Sequence, residues 1–199
     1  MARLRDDHVE ATRRALLAAA RRRFGTLGFA GTSLDDVAAE AGVTKGALYH
    51  HFRGKEQLFL EVYDEVEAEL SAHGTAAAAG GTDAVDALQR GFGAFLDLAL
   101  DPAVQRIALL DAPSVLGTAA KLEVDARHSL AAVRAAVQVG VAEGLLAPVD
   151  PDTIASLLIA ACSQAALLIA TAPDPAAARP QVGAALDRLL TGLTAPTPT

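Results

Sequence analysis

The segment "TSLDDVAAEAGVTKGALYHHF", Thr32–Phe52, decides the interpretation of this sequence. Gly42 separates two short helical patterns, because glycine readily adopts the left-handed conformation that ends a helix. Thr32 or Ser33 can cap the first helix and Thr44 the second, since each hydroxyl can accept a hydrogen bond from a free N–H group of the first turn. Two helices joined by a tight turn that contains glycine, the second of them short and polar, are typical of a helix-turn-helix.

The second of these helices divides into anchoring and outward residues. Leu48 and Phe52 are expected to pack against neighbouring helices, because a helix this short is not stable alone. Lys45 can reach a guanine edge or a phosphate, and Gly46 lets the backbone approach a sugar–phosphate wall. We therefore expect this helix to contact DNA through its outward residues, which are Thr44, Lys45, Gly46, Tyr49 and His50.

The charge is distributed unevenly along the chain. The whole chain of 199 residues has a formal net charge of −7. Residues 1–55 contain eight Arg and two Lys against six Asp and Glu, a net charge of +4, and residues 56–199 carry the remaining −11. This asymmetry favours a basic N-terminal segment that meets a polyanion, followed by an acidic segment.

The remainder of the sequence predicts helices throughout. Apolar residues recur with helical spacing, and no stretch shows the sustained alternation of a strand. We predict an all-α protein of about nine helices, with an N-terminal three-helix DNA-binding head and a C-terminal helical body. The clearest helix is expected to include Leu122–Val141, over more than five turns. Other long helices are expected at about Asp7–Phe24, Lys55–Leu70, Asp83–Leu100 and Thr153–Ala172, with a final helix that ends near Leu193.

One apolar segment raises the question of a membrane. Thr153–Ala172 has twenty residues without a charge, which is long enough to cross a bilayer. However, Asp150, Asp152 and Asp174 bracket it, and its flanks lack the basic and aromatic residues typical of a spanning helix. We therefore expect a buried helix and no membrane partner.

No pattern of catalytic or metal-binding residues assembles. The sequence lacks the nucleophile, zinc-protease and phosphate-loop motifs. His50 and His51 are adjacent, so on a helix they point about 100° apart and do not chelate. Cys162 is the only cysteine and lies in an uncharged segment, which favours an inert thiol in a reducing cytoplasm. We expect no enzyme activity, no catalytic or metal site and no cofactor.

The segment "GFAGTSLDDVAAEAGVTKGALYHHFRGKEQLF" closely resembles the DNA-binding domain of the tetracycline-repressor (TetR) family of bacterial transcription regulators. The resemblance covers about Ala11–Leu70. It implies a DNA-binding domain at 10–70, with its helix-turn-helix at about 33–52, and implies that Arg3 and Arg5 can reach an adjacent groove. The DNA contacts it implies are Thr32, Ser33, Thr44, Lys45, Gly46, Tyr49, His50 and Lys55.

For the rest of the chain, the resemblance implies an effector-binding and dimerisation domain at 75–195. A pocket for a small, apolar organic effector would lie among the middle helices. Its candidate residues are Phe92, Phe95, Arg106, Leu109, Asp111, His128 and Gln138. The last two helices would pair with those of a second copy, and their apolar character supports this independently. The candidate interface residues are Leu157, Ala161, Leu168, Val182, Leu186 and Leu189.

Together these features predict a cytoplasmic transcription regulator. The resemblance implies a homodimer that binds a pseudo-palindromic, double-stranded operator as a repressor and is released by a small-molecule effector. The alternative is a helix-turn-helix dimer without an effector, whose body serves only for dimerisation. A DNA complex that no small molecule affects would favour the alternative.

Overall fold

The computed structural model describes the backbone of residues 2–195 and the side chains of residues 8–195. The side chains of Arg3 and Arg5 and the last four residues lie outside the described part. The all-α prediction is confirmed: within residues 2–195 the β pairing is limited to one isolated bridge between Leu146 and Thr194.

The observed bounds of the helices differ from the approximate ranges expected from the sequence. The helices are α1 (Ala2–Gly31), α2 (Leu34–Glu40), α3 (Lys45–His51), α4 (Lys55–Ala78), α5 (Ala84–Leu98), α6 (Pro102–Val104), α7 (Ala112–Asp125), α8 (Ala131–Ala142), α9 (Pro151–Ala170) and α10 (Pro175–Thr191). Wide π-helical turns, Gln105–Asp111 and Ala126–Leu130, join α6 to α7 and α7 to α8 without a loop. When these junctions are treated as continuous, α6, α7 and α8 form one helical segment and eight helical segments remain among the described residues, close to the predicted nine.

The chain forms two compact units. The first, here called the head, contains the residues up to Val66 together with Pro102–Thr118. The second, here called the body, contains Glu67–Asp101 and the residues from Ala119 onward. No pattern in the sequence indicates that residues 102–118 belong to the head, because their packing depends on contacts with residues far away in the chain.

The first helix is longer than predicted. It was expected to end at Phe24, but α1 continues through Gly25 to Gly31 and is interrupted only at Gly28, where φ is 74°. A Cβ placed on Gly25 would lie 2.6 Å from the Cβ of Ala103. Gly25 therefore serves the close approach of α6 to α1 within the head, and it does not end the helix.

The fourth helix also extends beyond its predicted end at Leu70. It runs on to Ala78, through Gly74, because the alanines that follow favour a helix. A Cβ placed on Gly74 would lie 3.2 Å from the carbonyl oxygen of Gly91. As in α1, this glycine allows two helix backbones to approach closely and does not break the helix.

In the body, α9 packs against α8 and α10, and α5 packs against α8, α9 and α10. Asp150 caps α9 by accepting a hydrogen bond from the N–H of Thr153 at 2.9 Å. By length and composition, α9 could cross a membrane, and only a third of its most apolar window is buried inside the body, less than in the buried helix expected from the sequence. The buried residues of α9 are Ala155, Leu158, Cys162, Ala165, Ala166 and Ile169.

Candidate nucleic-acid interface and body cavity

The local geometry of the turn agrees with the helix-turn-helix expected from the sequence. Ser33 caps α2: its Oγ accepts from the N–H of Asp36 at 3.1 Å and donates to the carboxylate of Asp36 at 2.7 Å. Gly42 adopts φ 69° after the end of α2, and Thr44 Oγ1 accepts from the N–H of Ala47 at 3.2 Å. These contacts span three residues or fewer, which is why the sequence predicts them.

Helix α3 separates anchoring from exposed side chains. Leu48 and Phe52, the residue that ends the helix, are completely buried in the head. Tyr49 leaves half of its surface exposed, and His51 is half-buried beside it. The exposed residues at and after the start of the helix are Thr44, Lys45, Gly46, Tyr49 and His50. The five outward residues expected from the sequence thus lie on the surface together.

Lys45 is held by a carboxylate in the preceding helix. Its Nζ lies 2.7 Å from Oδ1 of Asp35, and both side chains are well exposed. The hydrogen bond to Asp35, together with the charge of that carboxylate, raises the pKa of Lys45. Lys45 is therefore protonated at neutral pH. To reach a phosphate or a base, its ammonium group must break its ion pair with Asp35 or contact both groups at once. This pair is not predicted by the sequence pattern, since the two residues are ten positions apart and lie in different helices.

Two other expected DNA contacts lie deeper in the head. Thr32 is only 3% exposed, and its hydroxyl donates to the carbonyl of Gly28 at 2.9 Å. The expectation that Thr32 meets DNA is therefore corrected, because its hydroxyl is used inside the head. Lys55 is half-buried, with Nζ 4.2 Å from the centre of the Phe29 ring. Ser33 is exposed and remains at the start of α2.

Several basic residues of the head form internal ion pairs. Arg22 and Arg23 each place Nε 2.8 Å from the carboxylate of Glu40, and Arg13 pairs with Glu61. The hydrogen bond from Arg22 is the main reason that the pKa of Glu40 is lowered; desolvation opposes it, and Arg23 contributes further to the lowering. These three arginines therefore form ion pairs between helices of the head, and their charge is partly neutralised there.

The segment 102–118 packs against the end of α1 in the head. The N–H of Phe29 donates to Oδ2 of Asp111 at 2.6 Å. The guanidinium of Arg106 occupies the space where Gly28 lacks a side chain, and its Nε lies 3.3 Å from Asp111, an ion pair without hydrogen-bond geometry. Leu109 is buried in the same segment. Arg106, Leu109 and Asp111, which were expected in an effector pocket, thus pack against the end of α1 and do not line the cavity of the body.

The body contains a cavity of about 340 Å³, here called the body cavity. It is lined by residues of α4, α5, α7, α8, α9 and the second π-helical turn, and Phe92 and Phe95 are among them. His128 and Gln138 are not, and the carbonyl of His128 instead accepts a hydrogen bond from Ser71 at 2.7 Å. Of the seven candidates, only the two aromatic residues therefore line this cavity.

The last two helices expose apolar side chains on the body surface. Leu157 and Leu168 of α9 are 60% and 53% exposed, and Leu189 of α10 is 62% exposed. Ala161 and Val182 are half-buried. Leu186 is only 4% exposed, because it packs inside the body, and the expectation that it contributes to a dimer interface is corrected.

Within the described residues, no group of three or more His, Cys, Asp or Glu side chains is placed to hold a metal ion. Cys162 is buried in α9. Burial is the main reason that the pKa of its thiol is raised far above the usual range. A thiol in that state is protonated and a poor nucleophile.

Comparison with known proteins identifies the family. The sequence model described as "Bacterial regulatory proteins, tetR family" matches residues 16–62, and that described as "Tetracyclin repressor-like, C-terminal domain" matches residues 85–193. The chain belongs to the TetR family. It is thus a TetR-family transcription regulator with a DNA-binding helix-turn-helix, and the family is one of regulators, not of enzymes.

Solved and curated relatives agree with this assignment. A TetR-family transcriptional regulator from Pectobacterium atrosepticum is 36% identical, with 94% of this chain and 96% of that chain covered and a TM-score of 0.83. The transposon Tn10 TetC protein of Escherichia coli is 28% identical over 76% of this chain and 77% of its own length. The transcriptional regulator AcrR of Shigella flexneri is 40% identical over 70 residues, which are 35% of this chain and only 33% of that relative.

Proposed function

We propose that this TetR-family regulator is a homodimeric repressor that binds a pseudo-palindromic operator and is released by a small-molecule effector. The observation that carries the proposal is the arrangement of α3. Its anchors Leu48 and Phe52 are completely buried, whereas half of the Tyr49 surface faces solvent beside Lys45 and His50. A helix that is anchored by two buried residues and exposes polar side chains on its other face fits the major groove of DNA.

The DNA interface we propose consists of Ser33, Thr44, Lys45, Gly46, Tyr49 and His50. Lys45 and His50 supply groups that contact phosphate or a base edge, and Tyr49 supplies a hydroxyl and an apolar ring. Gly46 adds no side chain: a Cβ at this position would meet only Thr44 Oγ1, at 3.9 Å. This leaves room for a DNA backbone beside the first turn of α3. Lys55 is half-buried and its Nζ lies over the Phe29 ring, so we leave it out of the proposed interface.

We propose that a second copy of the chain covers the exposed apolar face of α9 and α10. Leu157, Leu168 and Leu189 each expose more than half of their surface. Such exposed apolar side chains, grouped on two adjacent packed helices, favour a two-fold interface, in which the same surface is used by both copies. The dimer would present two α3 helices to successive major grooves, about 34 Å apart.

The body cavity is the site that we propose for the effector. Its volume of about 340 Å³ falls within the usual range of ligand pockets, roughly 300–1,000 Å³, and its walls are mostly apolar. An effector that binds better to a conformation unable to place both α3 helices in the grooves would lower operator affinity. As a DNA-binding regulator, the protein would act in the cytoplasm.

The experiment that tests this function begins with selection of bound fragments from the source genome, which yields the operator. Lys45→Ala and Tyr49→Ala are each expected to weaken operator binding by about 1–3 kcal/mol, if the side chain reads a base. Arg134→Ala removes a cation in the body, and serves as the control with unchanged affinity. Operator affinity unchanged in both α3 variants would contradict the proposed interface.

Salt and effector dependence complete the test. Operator affinity is expected to fall steeply as salt concentration rises, because phosphate contacts release counterions. Addition of small molecules is expected to release the operator. An operator complex that no compound of a chemically broad set releases would instead support a dimer without an effector.

A further inference from the structure

The walls of the body cavity combine an apolar surface with two carboxylates. Most of the lining side chains are aliphatic, aromatic or small. The charged members are Glu67 of α4 and Asp125 of α7, and each residue is only 6% exposed. Among the described residues that line the cavity there is no Lys, Arg or His. The charge that the wall itself presents is therefore entirely negative.

A cation that pairs with Asp125 lies outside the cavity lining. Lys121 Nζ is 2.6 Å from Oδ2 of Asp125, one helical turn earlier in α7. This pair offsets the charge of Asp125 in part. Because Lys121 is not a lining residue, a ligand in the cavity meets the carboxylate side of the pair.

Two charges of opposite sign act on the α9 wall of the cavity. Cys162 of α9 lines the cavity, and burial is the largest cause of its raised thiol pKa. Arg179 opposes this increase, whereas the charge of Glu67 adds to it. Of the two charges, Arg179 has the larger effect on the pKa of Cys162, so the negative charge of the cavity is confined to the α4 and α7 walls.

These conditions distinguish ligands by their charge. In an apolar cavity the Coulomb interaction is screened far less than in water, so a cation gains attraction from the carboxylates and an anion is repelled. The rings of Phe92 and Phe95 also line the cavity. An aromatic face attracts a cation, most strongly when the cation is stripped of water.

We propose that the effector is a hydrophobic molecule that carries one cationic nitrogen, either a protonated amine or a quaternary ammonium group. Its apolar part occupies the aliphatic wall, and its cation lies near Glu67 and Asp125. This inference rests on the proposed function, because it takes the body cavity to be the effector site. It replaces the purely apolar effector expected from the sequence.

A series of probes with one skeleton and three charges tests the inference. The probes are 4-phenylbutylamine, 4-phenylbutanol and 4-phenylbutanoate, with calorimetric titration of each into the full-length protein at neutral pH. The amine is expected to bind about tenfold or more tightly than the alcohol, and the carboxylate is expected to bind most weakly. This comparison uses the unaltered protein and does not depend on the folding of any variant.

Two substitutions test whether the carboxylates of Glu67 and Asp125 cause the preference for the amine. Glu67→Gln and Asp125→Asn are each expected to reduce the preference for the amine over the alcohol, while the alcohol binds as before. Glu69→Gln removes a carboxylate from α4 at a position that does not line the cavity, and is the matched control. Thermal unfolding of each variant identifies any that fails to fold, and the charge series on the unaltered protein then still decides.

The outcomes of these titrations distinguish the cationic-effector inference from the proposals on which it rests. Equal binding of amine and alcohol, or tightest binding of the carboxylate, would overturn the inference and leave the regulator proposal intact. Failure of all three probes to bind at millimolar concentration would overturn both the inference and the body cavity as the effector site. Operator binding, measured on the same preparation, reports separately on the DNA-binding function.

Discussion

Lys45 Nζ lies 2.7 Å from Oδ1 of Asp35, so the cation at the start of α3 is already paired with a carboxylate of α2. Both side chains are largely exposed, and exposed pairs of this kind are weak in water. DNA phosphates can therefore compete for Lys45. At the same time, the negative charge of Asp35 sits on the surface that we propose for DNA and opposes phosphate there.

Replacement of Asp35 tests this competition. Asp35→Asn is expected to raise affinity for DNA of random sequence, because Lys45 is released and one negative charge is removed. The slope of log affinity against log salt concentration should become steeper by about one unit, measured by fluorescence anisotropy. Glu10→Gln makes the same change of charge elsewhere on the head, and should leave the slope nearly unchanged. An equal effect of the two variants would show that Lys45 does not meet phosphate.

Gly46 offers a variant that separates DNA binding from stability. In the head, Gly46→Ala meets only Thr44 Oγ1, at 3.9 Å, and alanine favours a helix over glycine by roughly 0.5–1 kcal/mol. The free energy of unfolding in urea should therefore stay the same or rise. Operator affinity should fall, because the added methyl group would lie between α3 and the DNA backbone. Unchanged operator affinity would exclude a close approach of DNA at Gly46.

The hydrogen bond from the Phe29 N–H to Asp111 joins residues 102–118 to α1, and its loss is expected to lower the stability of the protein. Asp111→Ala leaves the N–H of Phe29 and the guanidinium of Arg106 without this carboxylate. The free energy of unfolding is expected to fall by about 1–3 kcal/mol, as measured in urea. Asp111→Asn should lose less, because its amide oxygen can still accept from Phe29. Equal losses for the two variants would show that the hydrogen bond contributes little.

The exposed face of α9 predicts the oligomeric state. Leu157→Glu places a charge in the proposed interface, where burial without a partner is costly. Analytical sedimentation should show a dimer for the unaltered protein and a monomer for the variant, with operator affinity reduced accordingly. Leu122→Glu makes the same substitution at another exposed leucine of the body, on α7, and should remain dimeric. Dissociation of both variants, or of neither, would contradict the assigned interface.

The pair between Glu40 and the arginines of α1 predicts a dependence of stability on pH. The pKa of Glu40 is lowered from its usual value of 4.5 in the folded state, chiefly by the hydrogen bond from Arg22. Its contribution to stability is therefore complete above the unfolded pKa and is lost as the pH falls through the folded pKa. Glu40→Gln should be less stable than the unaltered protein at pH 7, and the difference should disappear in acid. A difference that persists in thermal unfolding at low pH would contradict this account.

Some of the head could be derived from the sequence because it depends on neighbours in the chain. Caps such as Ser33 and Thr44 act on N–H groups three residues later, and Gly42 acts within its own turn. The helical period placed Leu48 and Phe52 inside for the same local reason. These short-range features are sufficient to indicate the helix-turn-helix and to predict which face of α3 is exposed.

What only the tertiary structure decided involves residues that are distant in the sequence. The burial of Thr32, the docking of Lys55 on Phe29 and the membership of Arg106 and Asp111 in the head arise from packing between separate helices. The same holds for Glu67 and Asp125, which come to one cavity from different helices. A helical pattern fixes which residues share a face of one helix, whereas the partner of that face is chosen by the packing of the whole unit.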